Sequence, residues 1–299
     1  MSIPILVAGG SGFVGRALVA ALRAQQHTVF VLTTKRGSLP EGHVFWDTER
    51  KVIDPTFRCG ECLVINLAGA GVADKRWTAA RKAVILSSRV DSLATLYSAH
   101  ALGQIQIRKL VSASAIGFYG MAAGLQTEAS EGDDSYLSVT CKAWEAAALR
   151  IGSEFSVPVA IARIGIVLDP EGGALKELMK TFPMRVAGLP GSGQQIYSWI
   201  HRNDLVRLLM WLAFEPITGI YNAVAPEPVS LGTLMDAAKK AYGGFFITVP
   251  APSWAIQLLL GEMAVEVLKS TEVSSAAIQG TGFRFEHASI SAAMASLIS

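Results

Sequence analysis

Ile3-Pro4-Ile5-Leu6-Val7-Ala8-Gly9-Gly10-Ser11-Gly12-Phe13-Val14-Gly15 reads as a fully apolar strand running straight into glycines spaced G-x-x-G-x-x-G. An apolar-periodic helix follows, carried by Val14, Leu18, Val19, Ala21 and Leu22. Each glycine answers a physical need. Gly9 permits the tight strand-to-helix turn, Gly12 lets a phosphate approach the backbone, and Gly15 lets the helix pack close on the strand. The N–H groups of Ser11, Gly12, Phe13 and Val14 at the helix start would then face a pyrophosphate. The competing reading is a tight turn with nothing bound. Placement after a buried strand and before a helix favours the dinucleotide site.

Outward from this stretch, residues 27–33 form the second strand, which ends about where a nucleotide-binding unit reads the ribose, some 20 residues on. An acid there would accept from the 2′-hydroxyl of NAD. The chain offers Thr33-Thr34-Lys35-Arg36 instead. Thr33, Lys35 and Arg36 suit a 2′-phosphate better, so NADP is expected over NAD; the alternative is two solvated loop charges. Residues 44–47 read as the third strand. Its terminal Asp47 either accepts from the adenine amino group or is an ordinary turn aspartate. Residues 62–67 form a fourth strand ending in Asn66-Leu67-Ala68-Gly69-Ala70-Gly71, where Leu67, Ala68 and Gly69 allow backbone to lie against a cofactor. A long helix is expected over 77–102. A fifth strand over 109–114 delivers Ser112 and Ser114 to the sheet's carboxyl end. A helix over 136–150 and a sixth strand over 157–167, apolar apart from Arg163, complete the pattern. Strands alternating with helices predict an α/β protein: a doubly wound parallel sheet of Rossmann type over residues 1–168.

The pattern changes after Leu168. A short helix to about residue 182, a glycine-rich loop over 188–195 and a strand over 196–200 precede a helix over 205–214. Gly219–Ala223 reads as a strand, Leu231–Tyr242 as a helix, 246–249 as a strand and 254–269 as a helix. Residues 169–299 are expected to form a smaller mixed α/β cap over the sheet's carboxyl edge, with 196–225 contributing to the first domain.

Composition narrows the function. The chain has 299 residues, 51% of them apolar, and a formal net charge of +2, which supplies a substantial core and argues against a nucleic-acid footprint. No secretory signal is expected at the N-terminus, and the apolar segments 205–214 and 254–260 are too short to span a bilayer. A cytoplasmic protein with no membrane contact is expected. Cys59-Gly60-Glu61-Cys62 forms a C-x-x-C, but zinc would need a second pair and Cys141 is the only other cysteine, and a redox motif belongs at a helix N-terminus rather than before a strand. Histidines at 27, 43, 100, 201 and 287 form no i,i+4 pair, so no metal site is expected.

Four motifs, GGSGFVG (9–15), NLAGAG (66–71), SASAIGFYG (112–120) and SWIHRNDL (198–205), together resemble an extended short-chain dehydrogenase/reductase. AGAGVADKRWT (68–78), SRVDSLATL (88–96), CKAWEAA (141–147), GSGQQIYSWIH (191–201), GIYNAVAPEPVS (219–230) and LGEMAVEVL (260–268) are similar to its atypical, YfcH-like branch of epimerase-family proteins. The likeness runs from residue 3 to about 296. It implies a Rossmann fold binding NAD(P), a C-terminal domain of unknown function, sugar-nucleotide epimerase chemistry by name, and often a homodimer.

The larger superfamily pairs a Tyr with a Lys four residues later, so that the ammonium lowers the phenol's pKa. Extended members often carry a Glu four residues beyond that Lys. Anchoring on Glu145 puts Cys141 where Lys belongs and Leu137 where Tyr belongs. Tyr136 and Lys142 are six apart, on different helix faces. The Tyr–Lys pair is therefore expected to be absent. Ser114 falls at the position of the serine that holds the substrate oxygen. Tyr119 is a substitute acid/base or a packed aromatic, and Lys142 reaches a ribose if the register shifts by one. Arg163 reads as a substrate-phosphate partner or a core ion pair. His201 reads as an acid/base or a structural hydrogen bonder, and Trp199 as a stacking surface or core. Three functions stay open: an NADP-dependent epimerase or reductase acting on a nucleotide-sugar or small hydroxyl/carbonyl metabolite, a catalytically altered NADPH-binding sensor, and a scaffold.

Overall fold

A computed structural model describes residues 3–298. The first half lays down β1 (Ile5–Ala8), α1 (Phe13–Ala24), β2 (Val29–Thr33), β3 (His43–Asp47), β4 (Val52–Ile53), β5 (Cys59–Asn66), α2 (Ala79–Ala101), β6 (Ile105–Ala115), β7 (Leu125–Gln126), α3 (Tyr136–Phe155) and β8 (Val159–Ile164). Then come β9 (Ile166–Asp169), α4 (Gly173–Leu178), β10 (Val186–Pro190), β11 (Ile196–Tyr197), β12 (Trp199–His201), α5 (Arg202–Phe214) and β13 (Gly219–Ala223). The remainder is β14 (Val229–Ser230), α6 (Leu231–Tyr242), β15 (Ile247–Ala251), α7 (Ser253–Leu260), α8 (Ala264–Leu268), β16 (Glu272–Val273), α9 (Ala276–Gly280) and α10 (Ile290–Ile298).

Eight strands form one sheet in the order β13-β8-β6-β5-β1-β2-β3-β4, all parallel except the final β3–β4 pair. The central strands are apolar on both faces because both faces are covered. Leu18 and Leu22 of α1 join Leu205, Leu208 and Leu209 of α5 over one face. Leu93 and Leu96 of α2 join Trp144, Ala148 and Ile151 of α3 over the other. Ile5 pairs with Val29 on one side and Leu63 on the other, so the strand order reverses direction at β1 and β5. A crevice at the carboxyl end of such a switch point is where α/β sheets take ligands.

The run expected as one strand over 157–167 is two, β8 and β9, broken at Gly165. A Cβ there would lie 2.6 Å from the Ser198 carbonyl oxygen. The chain leaves the main sheet at this point and pairs Ile166–Leu168 in parallel with Trp199–His201. The strand expected over 196–200 also divides, β11 pairing with β14 and β12 with β9. The helix expected over 254–269 breaks at Gly261, whose φ of +60° ends α7. A third core of Leu168, Leu175, Phe182, Trp199, Leu231, Leu234, Ile290 and Met294 holds the cap together.

Cys59 and Cys62 lie on β5 itself, both buried and free. The hydrogen bond between the two thiols lowers the Cys59 pKa and, with burial, raises that of Cys62. Among the described residues no helix is long and apolar enough to cross a membrane.

Candidate functional site

The β1–α1 junction is a cradle of bare backbone. Gly9 sits at φ +76°, and a Cβ there would come within 2.6 Å of the Leu67 carbonyl at the end of β5. A Cβ at Gly15 would come within 2.1 Å of the Gly9 carbonyl. These contacts press the glycine turn, the first turn of α1 and the β5 end together, as the spacing requires. Gly12 is the N-cap of α1, no side chain caps the helix, and no acid stands in its first turn. The start of α1 therefore keeps amide donors and the positive end of its dipole for an anion. Arg202 lies over the Phe13 ring at 5.8 Å, held by Asp169 at 3.0 Å and Glu171 at 3.1 Å. The Asp169–Gly173 turn closes on Phe13 so tightly that a Cβ on Gly172 would meet the ring at 2.5 Å. The residues present thus fit a dinucleotide whose pyrophosphate rests on the start of α1.

At the end of β2, the Thr33 hydroxyl accepts from the Lys35 N–H at 3.2 Å. Arg36 is exposed, lies over the Phe45 ring and pairs with Asp47 of β3 at 3.2 Å. Asp47 also accepts from the Arg50 N–H. Lys35 has no ion pair among the described residues. On the other side of the crevice, α2 ties the 66–71 loop in place. Asn66 accepts from the Ala68 N–H and donates to Ser92; Ser88 accepts from the Ala70 N–H. Half-buried Arg89 donates to the carbonyls of Ala70 and Ile85, and stands over the Trp144 ring at 4.9 Å. Burial lowers its pKa from the ordinary guanidinium value. Asn66, Ser88, Arg89 and Ser92 were not singled out for these roles by sequence reasoning. Their signal was the i,i+4 spacing of Ser88 and Ser92 on α2.

The residues read as catalytic go elsewhere. Ser114 is buried and donates to Glu145 Oε1 at 2.6 Å. Arg163, also buried, grips both Glu145 oxygens at 2.8 and 2.9 Å and donates to the Tyr119 hydroxyl at 3.1 Å. Tyr119 has no exposed surface and donates to Asn222 Oδ1 at 2.6 Å. Asn222 donates in turn to the Ser274 carbonyl, and its backbone N–H to Glu128. Burial raises the Tyr119 pKa above that of an ordinary phenol. This network ties β6, β8, β13 and α3 together: Arg163 is an ion-paired core residue, and neither hydroxyl opens to the crevice. Ser112 is fully buried and donates to the Ala113 carbonyl.

On α3, Leu137 and Cys141 lie on the side that meets β6 and the turn after it. Leu137 lies against Gly117, whose added Cβ would meet the Leu137 Cβ at 3.2 Å. Cys141 is buried beside Ser114 and Ala115, its pKa pushed up to about 11 by burial. Tyr136 instead donates to the Lys82 carbonyl, and Lys142 to the Asp133 carbonyl at 2.8 Å while half-exposed. The α3 face toward the β6 end thus offers the Leu137 hydrocarbon and the buried Cys141 thiol.

Trp199 has no exposed surface; its indole donates to the Glu227 carbonyl within the cap core, so it offers no stacking face. His201 is buried, its Nδ1 accepts from the Asn203 N–H as the N-cap of α5, and its ring stacks on His287 at 3.7 Å. Burial first, and then His287, push its pKa down to about 4. Asp204, Glu286 and His287 lie close enough to hold a metal. The Asp204 carboxylate already accepts from Arg207 and from the backbone N–H groups of Glu286 and His287.

Comparison with known proteins agrees with this geometry. A model of the NAD dependent epimerase/dehydratase family matches residues 5–223, and one of a domain of unknown function (DUF1731) matches residues 251–297. The chain is 34% identical over 296 residues to the chloroplastic epimerase family protein SDR39U1 homolog of Arabidopsis thaliana, covering 95% of this chain and 83% of the relative. It is 32% identical over 293 residues to an epimerase family protein of Mycobacterium bovis, covering 97% and 96%. The human epimerase family protein SDR39U1, crystallised with NADPH, superposes with a TM-score of 0.89 at 27% identity over 99% of both chains. The glycine cradle, the strand order and these likenesses agree: the chain belongs to the NAD dependent epimerase/dehydratase family.

Proposed function

We propose that this chain binds NADP(H) across the carboxyl edge of the sheet and acts as an oxidoreductase on a small hydroxyl or carbonyl metabolite, without a Tyr–Lys pair. The carrying observation is the uncapped glycine cradle at α1, joined to a β2 end that presents Thr33, Lys35 and Arg36 and no acid. A 2′-phosphate suits that end better than a free ribose, because Lys35 and Arg36 are exposed cations able to donate to it and only Arg36 is already paired, with Asp47. NADPH in the human relative's crystal structure supports the same preference. When bound, the nicotinamide supplies a hydride acceptor or donor. The chain's own residues hold the pyrophosphate on the first turn of α1, position the adenine-side phosphate with Lys35 and Arg36, and line the crevice with the α2-braced 66–71 loop. Three free, buried thiols support a reducing compartment such as the cytoplasm.

The test is titration with NADPH and NADH, read by tryptophan quenching and energy transfer to the nicotinamide. NADPH should bind at least tenfold more tightly, and Lys35→Ala/Arg36→Ala should erase most of that difference. Equal affinities, or no binding, would refute the reading. Leu137 and Cys141 on the α3 face favour a second reading, a redox sensor without turnover. That version requires unequal affinities for NADPH and NADP⁺ and no hydride transfer to any carbonyl.

A further inference from the structure

Between the cap and the carboxyl edge of the sheet lies a cavity of about 80 Å³, lined by Ile116, Gly117, Ile166, Tyr197, Lys269 and Thr271 among others. Gly117 lies between it and Leu137, whose Cβ a side chain on Gly117 would meet at 3.2 Å. Lys269 is the residue that ends α8, and its side chain is only 7% exposed. Its ammonium lies 2.7 Å from Glu266 Oε2, its one side-chain partner among the described residues. An ammonium has three N–H donors, and donors kept from water need acceptors. Its charge also reaches Asp133, helping to lower that carboxyl's pKa. The cavity walls are otherwise mostly apolar, or polar groups already engaged. Tyr197 donates to the Val267 carbonyl, and Ser198 to the Thr271 carbonyl.

We propose that Lys269, presented by the cap, is the proton donor of this site, serving the carbonyl oxygen of a short-chain aldehyde or ketone. The proposal rests on the oxidoreductase reading and names its substrate class and acid. At ~30 Å³ per water, the cavity holds two or three water-sized groups. That is room for a carbonyl with a few heavy atoms. In the reducing direction the carbonyl carbon would receive a hydride, with its electron pair, which a bound reduced nicotinamide would supply. The carbonyl π pair moves onto oxygen, and that oxygen takes a proton from Lys269 Nζ. Lys269 is left as a neutral amine and regains a proton from water as the alcohol departs. Glu266 keeps Lys269 Nζ in the cavity, as an ion pair before the transfer and as an acceptor for an amine N–H after it.

The experiment compares wild type, Lys269→Met and Lys269→Arg. NADPH affinity, read by tryptophan quenching, should agree within twofold across the three, which also shows that the variants fold. NADPH oxidation is then followed with a panel of two- to five-carbon aldehydes and ketones. Lys269→Met should lose about 10²-fold or more in kcat/KM, the usual contribution of a positioned acid, and Lys269→Arg should keep part of it. Saturation-transfer NMR with acetamide on the NADP⁺-loaded protein gives a readout free of turnover. Its methyl resonance should show saturation transfer with wild type and lose it with Lys269→Met. NADPH binding without turnover of any panel member, or a Lys269→Met variant that behaves as wild type, overturns the proposal while leaving cofactor binding standing. Failure of NADPH to bind removes both readings.

Discussion

Replacing Arg163 by Met strands a buried carboxylate. Glu145 is 5% exposed and accepts three hydrogen bonds, two from Arg163 and one from Ser114. The substitution keeps an unbranched apolar stem and removes both guanidinium bonds at once. Breaking a buried pair by deleting one partner costs ~3–5 kcal/mol, because the remaining charge stays out of water. The donor to Tyr119 at 3.1 Å and the guanidinium over the Phe118 ring at 3.4 Å disappear as well. Against a typical domain stability of ~5–15 kcal/mol this is a large fraction. The double variant Glu145→Met/Arg163→Met removes both charges and fills the space with hydrocarbon. It leaves the Ser114 hydroxyl without its acceptor, at ~1–3 kcal/mol, and the Tyr119 oxygen without its guanidinium donor but still bonded to Asn222. Urea unfolding followed by tryptophan fluorescence, with unchanged m-values, should show the single variant losing ~3–5 kcal/mol and the double variant losing less. A single-variant loss below ~1 kcal/mol, or a double variant as unstable as the sum of the singles, would refute the account of an interlocked ion pair.

Three further outcomes follow from the geometry. Gly15→Ala drives a Cβ to 2.1 Å from the Gly9 carbonyl, so it should weaken NADPH binding at least tenfold, as read by titration, and lower Tm. Gly165→Ala meets the Ser198 carbonyl at 2.6 Å and should lower Tm by pushing β9 away from β12, whereas an unchanged Tm would show the junction to be compliant. His201 has its pKa pushed down to about 4 from 6.5, chiefly by burial. The unfolded chain therefore takes up that proton first, and stability that is full above about pH 6.5 is lost as pH falls toward 4, by on the order of 3 kcal/mol at most. His201→Asn keeps a capping oxygen and should flatten that part of the slope in urea midpoints measured between pH 7.5 and 5.

The cofactor cradle was legible because its determinants are local: glycines at fixed spacing after a buried strand, and the absence of an acid at Thr33–Arg36. The placement of Leu137 and Cys141 together against the β6 end was legible from their i,i+4 spacing on α3. What Ser114 and Tyr119 do was not legible. Their partners Glu145, Arg163 and Asn222 lie 31, 44 and 103 residues from one or the other, and only the fold brings them within reach. A hydroxyl at a strand's carboxyl end looks the same whether it faces a ligand or a buried carboxylate. The split at Gly165 was masked because the apolar run continues unbroken through it, the glycine being its one mark. Lys269 stood in a segment read as one helix, which the positive φ of Gly261 divides into α7 and α8.

The position of β13 bears on how the chain can be cut and how it is made. β13 is the outermost strand on the β8 side, pairing Gly219–Ala223 with Ala160–Ile164, yet it follows the first half of the cap in the chain. A fragment ending after β9 would leave β8 as a bare sheet edge, an invitation to intermolecular pairing. It would also lack α5, which covers one face of the same sheet. The nucleotide-binding half is therefore finished only when a ribosome has passed residue 223, and shorter excised pieces should aggregate rather than fold.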